Sequence, residues 1–225
     1  MSFTIFIVSD LPVIGASLKD VRIELQYLPC LEYFTCLMQF DRILLDVEER
    51  YIKQTYRNRC TVLTANKVDT LTVPVKSENH GLTKDVRIDY SQDWIRRHLG
   101  CLQAAYGKSP FFEYYQPEFT GVFQKKHTFL IDLNYELLTI CLRLVGIKSK
   151  LTYNLSGSEN RPESQVNEVS QINNKKNSNI FKYYQPKMYY QTFGNDFVSN
   201  LSIVDLIFNT GPEARSVLLK SSKIQ

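Results

Sequence analysis

Val21-Arg22-Ile23-Glu24-Leu25-Gln26-Tyr27 alternates apolar and polar residues with a period of two, the pattern of a half-buried strand. Pro29 ends it. Leu31 to Phe40 then reads as a short helix with Leu31, Phe34, Leu37 and Met38 facing inward, and Ile43-Leu44-Leu45-Asp46-Val47 as a mostly apolar second strand. Strand, helix and strand in succession point to an α/β protein, and the rest of the chain extends that reading.

Two further strands, Thr61–Leu63 and Leu71–Val75, flank the polar connection Ala65–Asp69 and predict a pair. Pro74 cannot donate to a ladder, which argues for an edge or a bulge there. Val86-Arg87-Ile88 is another brief alternation. From residue 91 the spacing turns helical. Ser91 is a candidate N-cap, and Trp94, His98, Cys101, Leu102 and Ala105 recur on one face until Gly107. Ser109-Pro110 starts a second helix, and Asn134 to Val145 forms a third that closes at Gly146. Lys148 to Tyr153 reads as one more strand. A last clear helix begins near Ser199 or Asn200 and carries Leu201, Val204 and Phe208, and Gly211-Pro212 separates it from a short final one. Asn154 to Asn179 stands apart, because seven Asn and five Ser fill 12 of its 26 residues. Such a segment buries too little apolar surface to offset its ordering entropy, so it predicts a mobile loop. The fold expected is a single α/β domain with a mixed sheet, packed helices and a C-terminal helix returning to the sheet.

The composition narrows the class of protein. Of 225 residues, 44% are hydrophobic and 22% charged, which excludes collagen-like, coiled-coil and wholly disordered chains. No uncharged apolar run approaches the roughly 18–20 residues of a membrane span. Phe3 to Val8 is too short, and lacks the basic flank, for a secretion signal. Five scattered cysteines with no CxxC read as reduced cytosolic thiols filling the core. The net charge of +4 is uneven, residues 1–50 carrying 4 basic and 8 acidic side chains and residues 51–110 carrying 10 and 5. No recognition motif accompanies it, so nucleic acid is not an expected partner. P-loop, GxGxxG, GxSxG and HExxH motifs are absent, and His80, His98 and His127 are too dispersed to suggest a metal site.

The positive charge gathers in Tyr51-Ile52-Lys53-Gln54-Thr55-Tyr56-Arg57-Asn58-Arg59, just after Glu48-Glu49. Arginine forks and a lysine point charge suit phosphate or carboxylate. The stretch reads either as an anion-binding edge or as a solvated basic loop with its aromatics packed beneath. His98, on the face of Trp94, is either a satisfied core histidine or a general base. Asp205, inside an apolar helix, is either paired with a basic residue such as Arg59 or a catalytic carboxylate.

Tyr51-Ile52-Lys53 followed by Asn58-Arg59 resembles the hallmark of the WbqC-like protein family, and YIKQTYRNRC is similar to its Bacteroidetes-type form. Further matches follow in order. They are Leu28-Pro29, Tyr33-Phe34, Leu71 to Val75, Asp85 to Ile88, Trp94 with His98, and Ala105-Tyr106 with Ser109 to Tyr115. Tyr189-Tyr190-Gln191, Phe197, Asn200 to Ile203, Asp205-Leu206, Phe208-Asn209 and Gly211 to Glu213 complete the series. Glu32 departs from the pattern, standing where many members have Gly, and so does Asn154 to Asn179. The resemblance divides the chain into a peripheral extension (1–20), a family-like domain (21–219) and a tail (220–225).

It implies work in surface-polysaccharide synthesis, such as that of O-antigen or capsule, with glycine transfer as one suggested activity. The expectation is a cytosolic transferase acting on a nucleotide-linked or lipid-linked sugar; the alternative is a non-catalytic interaction protein of polysaccharide assembly. No cofactor is specified. In the enzymatic reading His98, Glu49 and Asp205 are the catalytic candidates, and Tyr51, Lys53, Tyr56, Arg57, Asn58 and Arg59 bind substrate. An enzyme should gather the basic cluster, His98 and Asp205 around one concavity; an interaction module should expose Tyr183, Tyr184, Tyr189 and Tyr190.

Overall fold

A computed structural model describes residues 19–76, 81–154, 165–173, 180–194 and 196–223. The opening units form as their periodicity predicts: β1 (Asp20–Glu24), α1 (Leu31–Leu37) and β2 (Arg42–Asp46). β1 and β2 are parallel, with Val21 opposite Ile43 and Ile23 opposite Leu45. These four side chains are fully buried and form the apolar face of the sheet. The other face is charged. Arg42 makes two 2.7 Å bonds to the Asp20 carboxylate, and Arg22 pairs with Asp46. Neighbouring strands therefore exchange ion pairs where a parallel sheet usually carries aliphatics.

β5 (Lys150–Asn154) adds to β2, and β6 (Val166–Asn167) adds to β1 on its other side, so the parallel sheet has the order β5-β2-β1-β6. β3 (Arg59–Leu63) and β4 (Val68–Thr72) form a separate antiparallel ribbon. The α/β class holds, with its parallel and antiparallel pairings in two sheets rather than one. Pro74 lies just beyond β4, in keeping with its missing N–H.

Three amphipathic helices follow: α2 (Trp94–Tyr106), α3 (Phe112–Gln124) and α4 (Leu130–Leu144). They converge on α5 (Ile203–Thr210), whose Phe208 ring meets Tyr106, Phe112 and Phe119 at centroid distances of 5.0–5.5 Å. Losing an aromatic from such a position costs about 3–5 kcal/mol. Gly211 ends α5 at φ +53°, and a Cβ there would meet the Phe111 ring at 2.5 Å, so both its backbone and its neighbour require glycine. The C-terminal segment returns as expected. α5 packs on β3, Ser202 donates its N–H to Thr61 O at 2.9 Å, and α6 (Ala214–Ser221) packs on α1.

Several boundaries need correction. The first helical turn of α2 follows Asp93 rather than Ser91, and α4 starts at Leu130, four residues before Asn134. Lys220 and Ser221 belong to α6 rather than to a tail, because Leu218 and Ser221 are buried and Ser222 bridges to Tyr184. Asp20 opens β1, while residues 1–18 of the expected extension lie outside the described residues. Of the segment expected as a mobile loop, residues 165–173 pack on the sheet. They carry β6 and bury Glu168 and Ile172. Residues 155–164 and 174–179 lie outside the described residues.

Candidate functional site

β1 lies between β2, which follows it in the chain, and β6, which returns from far along it. The strand order therefore reverses between β1 and β6. In open parallel sheets, the crevice at the carboxyl ends of the strands at such a reversal is where ligands bind.

A buried polar cluster occupies that position. Glu24 ends β1 and is 1% exposed. Its Oε1 accepts from Gln26 Nε2 at 2.8 Å, and its Oε2 accepts the backbone N–H of Ser170 at 2.7 Å, just past β6. Ser170 has φ +62°, the left-handed region that serine rarely adopts. Its hydroxyl accepts from Arg57 Nη2 at 2.7 Å. Arg57 is 2% exposed and grips Glu49 through both Nε (2.6 Å) and Nη2, while its Nη1 donates to Thr55 Oγ1 at 3.3 Å. Thr83 donates its N–H to the Glu49 carbonyl at 2.9 Å and its hydroxyl to Glu49 Oε1 at 3.3 Å. Every nitrogen of the Arg57 fork is engaged within the protein.

Charge bookkeeping sets the character of the cluster. Arg22 is paired with Asp46, Lys84 with Glu48 and Arg57 with Glu49. Glu24 has no ion-pair partner among the described residues, and its donors are a carboxamide and a backbone amide. Glu24 thus makes no ion pair of its own, although its charge acts on Arg57. Burial pushes the Glu49 carboxyl up despite the Arg57 contact, and the nearby Glu24 and Asp46 charges add to the rise. Burial opposes the charge on Arg57, but its Glu49 hydrogen bond and the Glu24 charge outweigh that and hold it firmly protonated.

The remaining sequence candidates divide. Tyr51 is 6% exposed, its hydroxyl is buried without a partner, and burial pushes it up to about 12 against the pull of Arg57 and Arg59. It belongs with the cluster. Lys53 is exposed on a turn beside Gln54, and Arg59 is half-buried as the first residue of β3. Tyr56 points elsewhere. Burial raises its phenol, and its ionisable neighbours are Cys30, Glu32 and Cys60 rather than Glu49 or Arg57. Asn58 is a structural clasp, donating its side-chain amide to Val73 O at 3.0 Å.

His98 lies 2.9 Å (Nδ1) from the Tyr27 hydroxyl and 3.2 Å (Nε2) from Thr72 O. Burial pulls its pKa down to about 4. The neutral ring thus donates from Nε2 and accepts at Nδ1, tying α2 to the ribbon and to the end of β1. Asp205 does not pair with Arg59. Its Oδ2 accepts from Tyr189 Oη at 2.6 Å and Gln191 Nε2 at 3.1 Å, because the segment before α5 folds back over that helix. Neither residue joins the crevice, so the expected convergence is limited to Tyr51, Glu49 and Arg57. Of the tyrosines expected as an exposed patch, Tyr183 and Tyr184 are buried and Tyr190 is 61% exposed.

Sequence reading missed Glu24, Gln26, Asp46, Thr83 and Ser170. The first three were visible only as the polar half of an alternating strand and the acidic end of an apolar one. Ser170 was hidden in an Asn/Ser-rich stretch.

An open parallel sheet with a buried polar cluster at its strand reversal defines an α/β protein. Residues 26–181 and 172–217 match the WbqC-like protein family, and the chain belongs to that family. Among curated proteins, the "Uncharacterized protein Rv1507c" of Mycobacterium tuberculosis (strain ATCC 25618 / H37Rv) is 24% identical over 225 residues, covering 89% of this chain and 97% of that one. No solved structure gives a significant match. No described helix is long and apolar enough to cross a membrane, and no metal-binding group of His, Cys, Asp and Glu occurs among the described residues.

Proposed function

We propose that the chain is a cytoplasmic transferase of surface-polysaccharide synthesis, of the O-antigen or capsule type. It attaches an amino-acid group such as glycine, or a related acyl group, to a nucleotide-linked or lipid-linked sugar. The resemblance of the family to products of such gene clusters supports the setting. The observation that supports the chemistry is buried Glu24, which makes no ion pair among the described residues, beside a Glu49 whose carboxyl is raised by burial. A buried carboxylate without an ion pair favours a protonated amine over a phosphate.

In this reading Glu24 holds the ammonium group of an activated aminoacyl donor, a thioester or acyl phosphate, and Glu49 takes the proton from the sugar hydroxyl or neutral amine as it attacks the acyl carbonyl. The new bond forms to the carbonyl carbon, and the thiolate or phosphate of the donor departs with the bonding pair. Arg57 positions Glu49 rather than the substrate, since its fork is fully used. The unpartnered Tyr51 hydroxyl donates to the carbonyl oxygen as charge develops on it. Lys53 and Arg59 remain for the sugar phosphate.

The test is to delete the gene and weigh the repeating unit of the surface polysaccharide. Loss of one small acyl or aminoacyl substituent, restored by the intact gene, is expected; an unchanged repeating unit contradicts the reading. The non-catalytic alternative draws on exposed Ile180 (80%), Met188 (82%) and Tyr190 (61%) in the segment before α5. If it holds, replacing all three by Ser abolishes complementation, while Glu49→Gln does not.

A further inference from the structure

We propose that a groove along residues 87–91, α2 and α3 is a second ligand site, separate from the crevice, that binds a glycosyl phosphate. Two adjoining cavities share Tyr90, Ser91 and Lys126 and so form one groove. Their volumes, about 390 and 890 Å³, fall in the range of small-molecule sites.

The lobes differ in chemistry. Among the described residues the smaller is lined by Lys76, Arg87 and Lys126 against one acid, Asp89, which the Ser91 side chain hydrogen-bonds, and by the hydroxyl of Thr128. Arg87 stacks on the Phe129 ring at 5.4 Å, which fixes its guanidinium at the wall. Clustered cations with a hydroxyl donor match a phosphate. The larger lobe is rich in carboxamides. Arg97 donates to Gln92 Oε1 and leaves that amide group to donate, while Gln116 Nε2 bonds Thr120 and leaves its oxygen to accept. Amides presenting both donors and acceptors match sugar hydroxyls, which do both. Tyr90, 37% exposed and packed against Trp94 at 5.9 Å, offers a ring beside the junction of the lobes.

Gly100 bears on the shape of the larger lobe. It lies inside α2, where glycine weakens a helix relative to alanine, and a Cβ there would meet nothing within 4 Å. It lines the larger lobe beside Ile95 and Leu99. Packing does not require this glycine. What its missing side chain leaves open is the lobe itself.

The probes are glucose 1-phosphate, a nucleoside diphosphate glucose and a polyprenyl phosphate glucose in detergent micelles, titrated calorimetrically into the full chain beside inorganic phosphate and maltose. At least one glycosyl phosphate should bind saturably, and tighter binding of the micellar probe than of the free ones assigns the lipid-linked source. Gly100→Leu should weaken that binding at least tenfold, with inorganic phosphate unaffected and the melting temperature not lowered. Lys76→Gln/Lys126→Gln should weaken both ligands. Glu49→Gln should leave binding intact, so failure of the crevice chemistry and failure of this site read out separately. The proposal is overturned if none of the three probes binds, if both groove variants retain full affinity, or if maltose binds as tightly as the phosphorylated sugars.

Discussion

Arg57 and Arg59 lie two positions apart, and strand alternation alone would place them on one face as equivalent cations. They are not equivalent, because β3 begins at Arg59 and Arg57 belongs to the preceding turn. Arg57 goes inward to Glu49, so it is the structural arginine of the two. Arg57→Ala should cost about 3–5 kcal/mol by leaving Glu49 buried without its partner, whereas Arg59→Ala should cost about 1 kcal/mol or less. Chemical denaturation of both variants checks the order, which is the reverse of that expected if Arg59 paired with Asp205. His98 gives a pH prediction. Its folded-state value near 4 lies below its ordinary 6.5, so the unfolded chain takes up the proton first as pH falls. The stability it contributes is complete above about pH 6.5 and is lost as pH falls toward 4. The difference amounts to about 3 kcal/mol. In His98→Gln, the fall in stability between pH 6.5 and 4 should be smaller by that amount in denaturant titrations.

Among the elements, the regular ones were legible because their hydrophobic period matched their environment. Val21 and Ile23 on β1, and Trp94, His98, Leu102 and Ala105 on α2, are buried on the faces that the sequence pattern marks. β6 was not legible. It has two residues, too few for a period, and its pairing depends on β1 rather than on its own composition. The start of α1 at Leu31 was legible, but its cap, remote in sequence, was not. Asn200 Oδ1 accepts the Glu32 N–H at 2.8 Å, and Leu201 O accepts that of Leu31 at 3.1 Å. Asn200 does this at φ +55°, a conformation asparagine tolerates better than most residues. Asn200→Ala removes a cap and strains the backbone, and should cost about 1–2 kcal/mol. Asn200→Gly, which keeps the backbone freedom, should recover part of that loss in the same unfolding experiment.

For the molecule as a whole, the basic stretch 51–59 divides between the buried cluster, which takes Arg57, and the surface, which keeps Lys53. Of its cations, Arg57 is taken by Glu49 and does not face a ligand, while Lys53 and Arg59 lie outside that pair. Glu49 precedes the stretch, and Glu24 and Asp46 arrive through the parallel register of β1 and β2. Ser170, the contact from β6, is 113 residues from Arg57 in the chain. Only the assembled sheet brings them together. His98 and Asp205 stay outside it, His98 bonded at both ring nitrogens and Asp205 through its Oδ2.

That separation is the central claim, and one complementation series tests it most directly. A strain lacking the gene is supplied with Glu24→Gln, Glu49→Gln, His98→Gln or Asp205→Asn, each verified as folded by its melting curve, and the repeating unit of its surface polysaccharide is weighed. The account predicts that Glu24→Gln and Glu49→Gln fail to restore the missing substituent while His98→Gln and Asp205→Asn restore it. Full restoration by Glu49→Gln together with failure of a folded His98→Gln would contradict it.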